Sequence, residues 1–245
     1  MPDYNDYIYP LSNNTTALVV MAADAEYGAK LKALSINPLI TGVGPVQAAM
    51  TLTYALSELS HARPPRRPDV IINIGSAGSA TLEQGRVYRV SSSNYRDMDA
   101  SAFSFPKGQT PFSTYPAVVS APAFMTDFPA VSCSTGGDVV KDHATTGTDM
   151  AEMEYYALCV VAMKFGIPLV GFKGISDGKK PLTGQLMDWA ALLPLIDENL
   201  AGAISLIKSG LAQGGLKREE LCAMPDCWKP EHSVFRRQPG IEVRR

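Results

Sequence analysis

Residues 17–22 (ALVVMA) form an unbroken apolar run with β-branched members, which predicts a strand buried on both faces. A second run, VIINI at 70–74, leads into Gly75-Ser76-Ala77-Gly78-Ser79, where a turn with exposed backbone is expected. A third, 167–172, delivers Lys173, Gly174, Ile175, Ser176 and Asp177 to a turn at Gly178. Between these runs the period changes. Apolar positions 46, 49, 50, 52, 56 and 59 approach helical spacing behind Pro45, whose fixed φ suits a first helical position. Residues 149–165 predict an amphipathic helix with its stripe at 153, 156, 157, 160, 161 and 165, stopped by Gly166. A last helix is expected over 187–209, carrying Trp189, Leu192, Leu195, Ile196 and Leu200 inward and kinked at Pro194. Residues 86–93 suit a further strand, and the proline-rich 62–68 a surface connection. Residues 97–130, rich in Phe, Pro, Ser and Thr, show little periodicity, so short strands or a binding loop are expected.

Buried strands alternating with helices predict an α/β domain with a mostly parallel, partly mixed sheet covered on both faces. Ligands in such sheets collect outside the carboxyl ends of the strands. Three polar clusters fall at such ends: Asp24 with Glu26, the GSAGS segment, and Ser176 with Asp177.

The 245 residues are enough for one large domain or two small ones, and the 46% hydrophobic, 19% charged composition excludes fibrous and disordered classes. The tail 222–245 changes character, with five Lys or Arg against Glu231, Glu242 and Asp226. A net charge of −2 gives no general field for nucleic acid or an anionic membrane, so neither is expected as a partner. Four cysteines are too few for a disulfide framework, and the start is acidic rather than basic, so a soluble cytoplasmic protein is expected.

The glycine turns do not complete a dinucleotide fingerprint, because residue 47 is Gln, and there is no phosphate loop, HExxH or GxSxG. Cys222, Cys227 and His232 have a wide spacing and lack a fourth ligand, so no metal or other cofactor is expected. Three acids remain as candidates. Glu154 is either on the wet face of its helix or turned onto a polar ligand. Asp177 is either a turn residue or a general acid whose pKa is raised by burial. Glu26 either faces solvent at a helix start or points into the same crevice. Phe103, Phe105 and Phe112 are satellite core or stack on a flat ligand.

The segments VVMAADAEYG (19–28), GVGP (42–45), VIINIGSAGS (70–79), YRDMDASAFSFPKGQTP (95–111), TGGDVV (135–140) and 151–178 occur in an order that resembles the bacterial 5′-methylthioadenosine/S-adenosylhomocysteine nucleosidases of the nucleoside phosphorylase superfamily. The resemblance implies a nucleoside phosphorylase-like fold, hydrolysis of a purine nucleoside N-glycosidic bond, a role in methionine salvage and a homodimer. Its reach along the chain implies a domain at 1–210 with a C-terminal extension at 211–245. It assigns Glu26 to the hydrolytic water, Met153 and Glu154 to the ribose, and Asp177, held by Ser176, to protonation of purine N7. Ser76, Ala77 and Gly78 would lie beside water and ribose. Phe103, Phe105, Pro111, Val139, Val140 and Met187 would complete the substrate contacts, with the loop near Pro111 entering the partner's site.

The chain departs from the family's pattern at Val139-Val140-Lys141, where an aromatic residue usually stacks on adenine, and at Lys173, commonly Arg. Futalosine hydrolysis, phosphorolysis and nucleoside binding without turnover are the alternative readings. Phosphorolysis is disfavoured, since Glu26 stands where the phosphorylases carry an arginine and no Arg occurs between 69 and 85.

Overall fold

The structure is a computed structural model and describes residues 3–124, 127–179 and 189–228. Among the described residues, nine strands form one mixed sheet. Strand β1 (Ile8–Ser12) runs antiparallel to β2 (Thr15–Met21), which pairs in parallel with the short β3 (Leu39–Ile40) and with β4 (Val70–Gly78). Parallel to β4 lies β9 (Leu169–Asp177), followed by β5 (Val87–Tyr95) antiparallel to it, then β7 (Ala130–Thr135) and β8 (Met150–Glu152) in parallel. A pairing of Gly78 with Ala151 returns β8 to β4, so five strands close into a ring. β6 (Val118–Ser120) lies outside, antiparallel to β5.

Alternate side chains of the buried strands serve two cores, which is why their sequences read as continuous apolar runs. Leu18, Val20, Ile71 and Leu169 pack toward α2 (Pro45–His61) and α3 (Tyr155–Phe165). Val19, Ile72, Ile74, Val170 and Phe172 pack against α4 (Leu193–Gln213), beside α1 (Ala29–Ala33). Helix α4 continues across residue 210. Leu216 and Leu221, the latter on the short α5 (Arg218–Leu221), join its core. Trp228 is buried in the other core and donates Nε1–H to the Ser120 carbonyl at 2.8 Å.

Four local expectations are corrected. β4 does not end at residue 74: Gly75, Ser76 and Ala77 pair with Lys173, Gly174 and Ile175, so the glycine-rich segment is strand and not a turn. The helix predicted from 149 begins at 155, because Met150 pairs with Cys133 in the sheet and the Glu152 carboxylate accepts the amides of Glu154 and Tyr155, opening the helix there. Pro194 lies in the first turn of α4, where its missing N–H costs no helical bond, and makes no kink. Leu195 faces outward at 46% exposure, whereas Ile196 and Leu200 are buried as expected. The segment 97–117 is largely irregular, with one short helical turn at Ser101–Phe103. Among the described residues, no helix is long and apolar enough to cross a membrane.

Candidate active site

The carboxyl ends of β2, β4, β8 and β9 surround a cavity of about 470 Å³. Three of its walls carry acids: Glu26 from the turn after β2, Glu152 and Glu154 from the end of β8 and the cap of α3, and Asp177 from the end of β9.

Glu26 is buried. Its Oε1 accepts both the Ser76 amide (2.7 Å) and the Ser76 hydroxyl (2.6 Å), which in turn accepts Trp189 Nε1–H at 2.8 Å. Its Oε2 is buried with no hydrogen-bond partner among the described residues. One oxygen is therefore fixed and the other is free to accept a proton from a water or ligand in the cavity.

Glu154 caps α3, and its Oε1 accepts the Gly44 amide at 2.9 Å. Burial, followed by the charge of Glu152, pushes its carboxyl up to about 7, although Lys173 and the Gly44 amide work the other way. Glu152 meets Lys173 Nζ at 3.0 Å and accepts Thr135 Oγ1 at 2.5 Å, with both side chains of the ion pair almost wholly enclosed. Burial alone would lower the Lys173 ammonium, but Glu152, Glu154 and Glu26 outweigh it and hold it above its ordinary value. One buried cation thus stands against three buried carboxyls, and Glu154 is the one left partly uncompensated.

Asp177 differs. Burial pushes it up, but the His143 imidazole and the Ser176 hydroxyl, which donates to Oδ1 at 2.6 Å, more than offset this and hold it below the usual carboxylate range. The expectation that burial raises Asp177 is corrected: hydrogen bonding to the ionised form wins over desolvation. The raised acid of this site is Glu154.

Of the residues predicted for the site, Glu26, Ser76, Ala77, Gly78, Val139, Val140, Met153, Glu154, Ser176 and Asp177 line this one cavity. Phe103, Phe105 and Pro111 do not. Phe103 is 79% exposed, and Phe105 makes an edge contact with Phe112 at a centroid distance of 5.6 Å. Met187 and His232 lie outside the described residues.

The sequence reading missed three residues here. Glu152 was hidden by the helical spacing around it. Arg96, held by Asp138 at 2.8 Å and by the carbonyls of Ser134 and Glu152, carried no motif. His143, 3.4 Å from Asp177, likewise belongs to no motif. Among the described residues, no cluster of three His, Cys, Asp or Glu could hold a metal ion.

A family model described as the phosphorylase superfamily matches residues 25–133. The chain is similar in sequence to the 5′-methylthioadenosine/S-adenosylhomocysteine nucleosidase of Haemophilus influenzae, at 28% identity over 180 residues, covering 64% of this chain and 74% of that protein. Its fold matches the Helicobacter pylori nucleosidase of the same name, solved with butyl-thio-DADMe-Immucillin-A, at a TM-score of 0.64 and 18% identity, covering 79% of this chain and 97% of the other. It equally matches a futalosine hydrolase mutant from Helicobacter pylori, at 0.64 and 17% identity, covering 79% and 98%. The resemblance drawn from the sequence motifs holds in these comparisons.

Proposed function

We propose that this protein is a purine nucleoside N-ribohydrolase that cleaves 5′-methylthioadenosine and S-adenosylhomocysteine to adenine and the 5-substituted ribose. The observation that carries the reading is the gathering of Glu26, Glu154 and Asp177 around one nucleoside-sized cavity, with a buried Glu26 oxygen left without a partner. Glu26 Oε2 accepts a proton from the attacking water. Glu154 and Met153 take the ribose, and the glutamate opposes the positive charge that develops as C1′–N9 breaks. Asp177, oriented by Ser176, protonates the departing base, and Ser76, Ala77 and Gly78 lie beside the water and the ribose.

Phosphorolysis fits less well. Phosphate needs free positive donors, whereas Arg96 is committed to Asp138 and two carbonyls, and Lys173 to Glu152. Futalosine is the second substrate reading, favoured by Val139 and Val140 at the cavity, where the resemblance would place an aromatic residue against adenine.

The protein works as a cytoplasmic homodimer in methionine salvage. Val43, Val46, Met50 and Tyr54, exposed at the start and along α2, supply an apolar face for the second copy. Phe103, Phe105 and Pro111 then complete the neighbouring subunit's site, in keeping with their place outside the cavity of their own chain.

Incubation in phosphate-free buffer with methylthioadenosine, homocysteinyladenosine, adenosine, inosine and futalosine, read by chromatography, tests the reading. Base release without phosphate is expected, with the highest kcat/KM on the first two. A strict requirement for phosphate overturns hydrolysis.

A further inference from the structure

The fold makes deliberate room for His143, a residue to which the reaction outlined above gives no task. Its ring is only 7% exposed and borders the cavity, and neither ring nitrogen makes a well-formed hydrogen bond among the described residues. The Asp177 carboxylate faces it, with Nε2 3.4 Å from Oδ2. Two glycines keep the space open. A Cβ on Gly78 would stand 2.1 Å from the ring's Cε1, and one on Gly178 would stand 2.8 Å from Cδ2. The ring is presented by a helical turn, His143–Thr145, whose cap Asp142 accepts the Ala144 amide at 3.1 Å. A buried polar ring whose charged neighbour stands at 3.4 Å and whose nitrogens make no well-formed hydrogen bond among the described residues is costly to keep, so it points to a ligand or a reacting group at the cavity.

That work follows from what Asp177 lacks. Neighbours that favour its ionised form leave it without a proton to give at neutral pH, yet a purine leaves poorly as an anion. Imidazole as a side chain takes up and releases protons near neutrality. Resting on the nucleosidase reading, we propose that His143 is the proton store for Asp177, forming with it a dyad that protonates the departing base.

In the step, the imidazolium Nε2–H passes its proton to Asp177 Oδ2, and the carboxylic acid passes it to a ring nitrogen of the purine. The C1′–N9 electron pair leaves with the base, water bonds to C1′, and the water's proton goes to Glu26. Solvent then takes the proton from Glu26 and returns one to His143, so one water is consumed and no other reactant is needed. His143 acts through Asp177 and is a positioning and proton-supplying residue. Asp177 is the charged group against its ring, while Glu26, Glu152, Glu154 and the Arg96–Asp138 pair border the same cavity.

The test compares two leaving groups in wild type and His143→Gln. On methylthioadenosine the variant should lose about 10- to 100-fold in kcat with KM changed by less than about 3-fold. On the 4-nitrophenyl glycoside of 5-methylthioribose, whose nitrophenolate departs without a proton, it should stay within about 3-fold of wild type. Equal losses on both substrates, or no loss on the nucleoside, overturn the dyad. Thermal unfolding checks that the variant is folded, and His143→Asn repeats the comparison if the glutamine variant is not. Failure of the unmutated protein to release base from any purine nucleoside instead removes the nucleosidase reading, and that arm involves no change at His143.

Discussion

Glu154 and Asp177 stand at the same cavity, both largely withdrawn from bulk water, and are driven in opposite directions. Glu154 has one backbone donor, from Gly44, and shares its wall with a second carboxylate, so burial and repulsion push it to about 7. Asp177 has a hydroxyl and an imidazole turned toward it, so it is held low despite burial. Burial alone therefore does not say which acid keeps its proton; the count of donors against like charges decides it. The chemistry assigned to each follows. In the proposed reaction, an anion beside the sugar that is unfavourable in the empty site gains stability when a cation forms next to it, and an ionised aspartate beside the base needs a proton delivered to it.

The largest effect is expected at the base side. Asp177→Asn should lower kcat about 10²–10⁴-fold, measured as adenine release under saturating methylthioadenosine, since the amide cannot pass on a proton. On the sugar side the first effect is structural. Lys173→Met leaves the buried Glu152 carboxylate without its cation, and denaturant unfolding at neutral pH should show a loss of about 3–5 kcal/mol.

A smaller change separates stability from activity. The folded value of about 7 for Glu154 exceeds its reference of 4.5, so the native state binds that proton more tightly, and wild-type stability falls as pH rises through this window. Glu154→Gln does not titrate and keeps an oxygen for the Gly44 amide. Its melting temperature relative to wild type should rise between pH 5 and pH 8 while turnover falls. A difference that is flat with pH would show that the carboxyl carries no such burden.

The buried strands were legible in the sequence because β-branched runs without a polar break have few other homes. Glu26, Ser76 and Asp177 were legible as site candidates because each follows such a run. Glu152 was not: the polar–apolar rhythm from Asp149 to Phe165 fits a helix, and only the pairing of Met150 with Cys133, distant in sequence, turns its start into a strand. His143 could not be placed either, since its position at the cavity depends on its loop folding back across Gly78. The direction of the Asp177 shift was misjudged because a sequence reveals a buried strand end but not the donors that arrive from elsewhere in the chain.

The central claim is that carboxylates from three parts of the chain surround one nucleoside, with those on its sugar side arranged for the positively charged state. Calorimetric binding of two unreactive adenine analogues tests this most directly, one with a protonated amine in the sugar ring and the other with a neutral carbocycle. The cationic analogue should bind at least about 100-fold more tightly, and Glu154→Gln should erode most of that preference. Equal affinity of the two analogues for the unmutated protein would contradict the account.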